Sequence, residues 1–200
     1  MNSNTLIHPC NRTDEEKIAL IADRFRDIMI ALGLDVTDES LERTPYRVAK
    51  MYVNEIFSGL KEENFPEVRF VKNREAPNDR SRMVTVSAPF TSFCEHHFVP
   101  MSGTARIAYI PNKKLIGLSK IPRLVRHFAL RPQLQERLTG QISDCLAELL
   151  ETENVAVYIK AQHYCMIARG IENSASFTET HSLRGLFEED PSLQNIFLKN

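Results

Sequence analysis

The sequence predicts an α+β fold, an antiparallel sheet with paired helices on one face, preceded by a helical arm. Three observations predict it. Apolar residues recur at helical spacing over the first ~60 residues, three later segments are rich in β-branched and aromatic residues, and two amphipathic helices fall between the second and third of those segments. Strands, then two helices, then strands with short turns is the order in which helices cover an antiparallel sheet. The 200 residues suffice for one domain with its own core, or for a small helical unit leading into a larger mixed one.

Taken in order, Thr13-Asp14-Glu15-Glu16 reads as a capping box, followed by Ile18, Ile21, Phe25, Ile28, Met29 and Leu32 at helical spacing, with Gly33 placed to end the helix. Thr44 then serves as N-cap and Pro45 as first helical residue, where its missing N–H costs nothing. Val48, Met51, Tyr52 and Ile56 share the buried face of that helix until Ser58-Gly59. Residues 1–62 therefore read as the arm and residues 63–200 as the domain that carries the chemistry. Lys61 to Arg82 is polar and broken by Pro66, Pro77 and Asn78-Asp79, so a connector is expected, with one short strand around Val68 to Val71. Strands are expected at Met83 to Val86, Thr104 to Ile110 and Val155 to Gln162. Of the two intervening helices, the first begins at Ser119, with Pro122 inside the permissive first turn, and runs to Leu130. The second starts at Pro132 and buries Leu134, Leu138, Ile142, Cys145, Leu146 and Leu149.

With 25 basic against 26 acidic residues and a net charge of -1, the chain is not expected to coat nucleic acid or an anionic membrane. An anionic ligand must be held by a local cluster. No apolar run approaches the ~20 residues of a spanning helix, and Met1 to Asn11 lacks a basic region followed by an apolar stretch. Together with four cysteines, this points to free thiols or metal ligation in a reducing cytoplasm. Cys145 reads as a buried hydrophobe and Cys10 as an exposed bystander. Cys94 and Cys165 have histidine neighbours.

Cys94-x-x-His97 has the spacing that lets two side chains reach one metal from a tight turn, although unpaired Cys and His are often only packed or solvated. A strand continuing from Val155 through Cys165 would point His163 and Cys165 to the same side, one to ligate while the other acts. Two thiolates and one imidazole leave the fourth tetrahedral position of zinc for water. His96 can complete a structural site instead, but adjacent side chains in extended backbone diverge, which favours a proton-transfer role. Ser119, Lys120 and Arg123 open a predicted helix whose free amides suit a polyphosphate, with Arg169 closing from the other side, although such cations are commonly just solvated. Gln135-Glu136 lies in the first turns of the next helix, where a carboxylate either serves the helix dipole or, buried, matches the two parallel donors of a guanine edge.

These residues sit in segments that resemble GTP cyclohydrolase I: Thr-Pro-Tyr-Arg-Val-Ala-Lys-Met-Tyr (Thr44 to Tyr52), Cys-Glu-His-His (Cys94 to His97), Ala-Tyr-Ile-Pro (Ala108 to Pro111), Gly-Leu-Ser-Lys (Gly117 to Lys120), Arg-Pro-Gln-Leu-Gln-Glu-Arg-Leu-Thr (Arg131 to Thr139), His-Tyr-Cys-Met (His163 to Met166) and Arg169-Gly170. The resemblance implies a tunnelling fold assembled as a toroidal homodecamer, with pockets completed by neighbouring subunits. It implies zinc on Cys94, His97 and Cys165, attack of activated water on C8 of GTP, release of formate, and formation of 7,8-dihydroneopterin triphosphate for tetrahydrofolate and pterin synthesis. On that pattern His163 is the main proton donor and His96 assists. Ser119 meets the ribose, Lys120, Arg123 and Arg169 the triphosphate, and Glu136, supported by Gln135, the guanine.

Glu179 and His181 depart from the Thr and Ser run that the family has near Thr178 to Ser182, and Pro122 replaces a small or polar residue. Two rivals stand beside this reading. One is an enzyme of the same fold that uses a cysteine nucleophile, against which the Cys94, His97, Cys165 set speaks. The other is a zinc-stabilised protein that binds GTP without turnover, which would leave His96 and His163 without work.

Overall fold

The computed structural model describes residues 10–199, and the reading of the first nine residues lies outside them. The chain begins with α1 (Asp14–Ala31), capped as expected: Glu16 N–H donates to the Thr13 hydroxyl at 3.3 Å, and Thr13 N–H donates to the Glu16 carboxylate at 2.8 Å. Gly33 (φ +78°) ends it in the left-handed region. Of the apolar stripe on α1, Met29 is buried while Ile28 and Leu32 stay exposed. α2 (Thr44–Met51) is capped by Arg43, one residue earlier than expected, and runs on into a wide helical turn at Tyr52–Ile56. Its buried positions are Pro45, Ala49 and Val53, with the expected Val48, Met51, Tyr52 and Ile56 half-buried beside them.

β1 (Phe70–Lys72), which starts two residues later and ends one residue later than the connector strand expected around Val68 to Val71, pairs antiparallel with β4 (Lys114–Ile116). The main sheet holds β2 (Val84–Cys94), β3 (Pro100–Tyr109), β5 (Pro132–Gln133), β6 (Val155–His163) and β7 (Thr178–Leu183) in the order β5-β2-β3-β6-β7. Neighbouring long strands are antiparallel, and only the two-residue β5 runs parallel to β2. β2 extends well past Val86 because Pro89 sits where β2 has a partner on one side alone, so its missing N–H breaks no ladder bond.

α3 (Lys120–Ala129) and α4 (Gln135–Leu150) lie between β4 and β6. α4 starts at Gln135 and not at Pro132, because Pro132 and Gln133 are drawn into the sheet edge opposite Phe93 and Cys94. The two helices cover one face, where Leu124, Leu138, Ile142 and Leu146 pack on Met101, Ala105, Ile107, Val157 and Ile159. The chain closes with the short turns α5 (Tyr164–Ile167) and α6 (Leu186–Glu189) and with α7 (Pro191–Lys199). Phe187, Leu193 and Phe197 cover the opposite face over Ala108, Ile110 and Ala156, so helices pack on both sides of the sheet where one was expected. The period of two along β6 divides these cores: Val157, Ile159 and Ala161 face α3 and α4, while Ala156 and Tyr158 face away. No helix of the described residues is long and apolar enough to cross a membrane.

Candidate functional site

Sheet register gathers the site at one end of the fold. Phe93 lies opposite Pro100 and Met101 opposite His163, so the end of β2, the start of β3 and the end of β6 are adjacent. Ala88, Phe90, Ser92 and Cys94 are the buried alternate positions of β2, which places Cys94 on the side covered by α3 and α4. The turn after it is tight: Phe98 N–H donates to Cys94 O at 2.8 Å, Cys94 N–H to Val99 O at 2.9 Å, and Phe98 adopts φ +53°. This folds His97 back towards Cys94.

Cys165 arrives by a different route from the one expected. The strand stops at His163 and the backbone turns helical over Tyr164–Ile167, so Cys165 is presented by a helical turn and not by strand alternation. The donor atoms of Cys94, His97 and Cys165 nonetheless lie within 4.8 Å of one another. Donors on one tetrahedral zinc stand roughly 3.8 Å apart, so the set needs a contraction of about 1 Å at most. Burial pushes the Cys165 thiol up, and the neighbouring Cys94 sulfur pushes it further. The residues therefore suit a thiophilic divalent metal. His96 is exposed and outside the set, its ring 6.2 Å from that of His97 and nearly perpendicular to it. Arg169 Nη1 donates to His97 Nε2 at 2.8 Å, which brings a cation to the edge of the donors.

The first turn of α4 supplies the next groups. Gln135 is buried; its amide nitrogen donates to Ile159 O (3.1 Å), Thr178 O (3.0 Å) and Thr180 Oγ1 (3.1 Å), and its amide oxygen faces His163 Nε2 at 2.7 Å. Two of those partners are carbonyls, which only accept, so the amide cannot be flipped and His163 must carry its hydrogen on Nε2. Burial lowers the His163 pKa, with the Glu136 charge opposing. Gln135 thus orients His163 directly, while Glu136 beside it is exposed, contrary to the expected buried carboxylate. Glu136 lines an open cleft of about 290 Å³ with Thr139, Gly140, Glu179, Thr180, His181 and Ser182, at the lower edge of the size of ligand pockets. The departing Glu179 is tied to Lys160 at 2.7 Å, and that hydrogen bond holds its carboxyl below the usual range.

Ser119 is at the N-cap of α3 but makes no side-chain cap bond, and Lys120 and Arg123 form no side-chain hydrogen bond or ion pair among the described residues. These three are uncommitted, and among the described residues no hydrogen bond or ion pair ties them to Cys94, His97 or Cys165. Two residues that sequence reasoning missed are Glu95 and Arg137, which pair with one another beside the donors. Both lie inside the quoted motifs, Glu95 between the first two donors and Arg137 after Glu136, and that placement was the available signal.

The model of the family described as GTP cyclohydrolase I matches residues 21–200. Among curated relatives, a protein named GTP cyclohydrolase 1 from Shewanella amazonensis is 49% identical over 190 residues, covering 95% of this chain and 87% of the relative. Others of that name from Vibrio cholerae (48% over 194 residues, 97% and 88% covered) and Aeromonas salmonicida (50% over 184 residues, 92% and 84% covered) are similar to the same extent. A solved structure, the archaeosine synthase QueF-Like in the apo form, is similar at a TM-score of 0.45 and 16% identity, covering 56% of this chain and 97% of that one, a likeness too low to bear on the fold.

Proposed function

Because the chain belongs to the GTP cyclohydrolase I family, we propose that it hydrolyses GTP to formate and 7,8-dihydroneopterin triphosphate, the first step towards tetrahydrofolate and related pterins, with zinc held by Cys94, His97 and Cys165. The observation that carries this reading is the convergence of two thiols and an imidazole beside a histidine whose tautomer is fixed. Three protein donors leave one tetrahedral position for solvent, the pattern of a catalytic zinc site. When bound, zinc supplies the Lewis acidity that makes water a competent nucleophile at neutral pH.

The remaining work falls to side chains of this chain. His163, oriented by Gln135, is the proton donor to the purine, and His96, exposed beside the donors, assists proton transfer in the hydrolytic and ribose steps. Glu136 accepts from the ring N–H and exocyclic amine of guanine, with Gln135 next to it bracing that turn of the helix. Ser119 meets the ribose, and Lys120, Arg123 and Arg169 neutralise the triphosphate. A tunnelling fold with a helical arm at residues 1–62 and a catalytic domain at 63–200, a homodecamer, and a cytoplasmic location belong to the same proposal. The exposed Glu136 and the uncommitted cations of α3 support assembly, since a second subunit would complete a pocket that one chain leaves open.

The test is GTP turnover with metal analysis. Wild-type protein is expected to release formate with the appearance of dihydropterin absorbance, whereas Cys165→Ser is expected to lose its metal and release none. Full activity in that variant, or GTP bound by the wild type without formate, would overturn the reading.

A further inference from the structure

Glu95 sits between two of the metal donors, and its carboxylate is gripped at both oxygens. Arg137 Nη2 donates to Oε1 at 3.2 Å and Nη1 donates to Oε2, with both side chains about three-quarters buried (22% and 24% exposed). A two-point fork between planar groups fixes direction as well as distance, which a lysine cannot do. A second tie runs from Glu95 N–H to Gln133 O at 3.0 Å, just ahead of α4.

Successive helix residues project about 100° apart, and the first three of α4 use that spread. Gln135 reaches His163 and the β6 and β7 backbone, Glu136 lines the cleft, and Arg137 reaches the turn that bears His97. We propose that Arg137 is a positioning residue: through Glu95 it locks the His97 turn to the helical turn that carries Glu136, so that the metal donors and the guanine carboxylate keep one fixed register. This rests on the assignment of Cys94, His97 and Cys165 to the metal and of Glu136 to guanine. Ground-state binding through Glu136 survives loss of the clamp, while the reacting carbon and the metal fall out of alignment.

The experiment measures kcat, KM, zinc retention against a chelator and thermal unfolding for Arg137→Gln, Glu95→Gln, the double variant and Arg137→Lys. Each Gln variant is expected to lose roughly 10- to 100-fold in kcat and in zinc retention time, with KM for GTP moving less than about threefold. The double variant is expected to be no worse than either single one, and Arg137→Lys to recover part of the loss. Wild-type kcat and zinc retention in Arg137→Gln, additive losses in the double variant, or a lower Tm with unchanged turnover per folded molecule would each overturn the proposal. Cys165→Ser measured alongside separates the two levels. If it keeps zinc, the metal assignment has failed; if it loses zinc while Arg137→Gln keeps it, the clamp alone has failed.

Discussion

His127 shows how a buried side chain outside the site ties stability to pH. It is 6% exposed, its Nε2 accepts from Arg131 Nη2 at 2.6 Å, and its ring meets Phe65 edge-on. Burial, with the charge of Arg131 adding to it, pushes its pKa from 6.5 down to about 4. The unfolded chain therefore takes up this proton first as pH falls, so stability is lost progressively from about pH 6.5 and the loss is complete near pH 4. Melting curves between pH 8 and pH 4.5 are expected to show a drop in Tm over that window that is smaller in His127→Gln; equal slopes would exclude His127 as the cause. At this scale the grouping of Cys94, His97 and Cys165 was legible in the sequence, because a Cys-x-x-His spacing and a distant cysteine are readable as letters. The Gln135 to His163 contact was not. It joins residues 28 apart whose meeting depends on how α4 docks on β6, which no local pattern encodes.

Among the elements, the join between α2's continuation and α3 rests on a glycine. A Cβ on Gly59 would lie 2.1 Å from His127 O and 2.7 Å from Leu130 O, both backbone atoms, while Gly59 N–H donates to Leu130 O at 2.9 Å and Arg131 Nε donates to Gly59 O at 2.7 Å. Gly59→Ala must push the two segments apart and is expected to cost about 1–3 kcal/mol in urea unfolding; an unchanged midpoint would show that the join yields freely. Helices proved easier to read than strands, for a physical reason. The capping box at Thr13 satisfies backbone amides locally, so its residues announce it. β7 escaped notice because its inward positions, Thr178, Thr180 and Ser182, are polar, the Thr180 and Ser182 hydroxyls bonding to Gln135, Thr139 and Ser143, leaving no apolar alternation to detect. β5 is two residues long and exists only because β2 offers it an edge.

For the whole molecule, apolar side chains concentrate on surface that the described residues do not cover. Ile28, Ile30, Leu32 and Leu34 are 52%, 54%, 72% and 43% exposed at the end of α1, and Val71 on the small sheet is 65% exposed. On the proposed assembly these positions are buried between subunits. Sedimentation is expected to show a large homo-oligomer, with Leu32→Glu shifted towards smaller species; a monomeric wild type would remove the assembly from the proposal. The expected sheet covered on one face proved to be covered on both, since the short C-terminal helices carry too few apolar residues to announce a second core until Phe187 and Phe197 are seen against Ala108 and Ala156.

The separation of the donors along the chain sets a timetable for biogenesis. Cys94 and His97 leave the ribosome before Cys165, whose place beside them in the folded chain is set by the pairing of β6 with β3, His163 opposite Met101. On the proposed metal assignment, a nascent polypeptide halted ahead of residue 165 offers an ion two anchors and no enclosure, so firm capture would follow completion of the sheet.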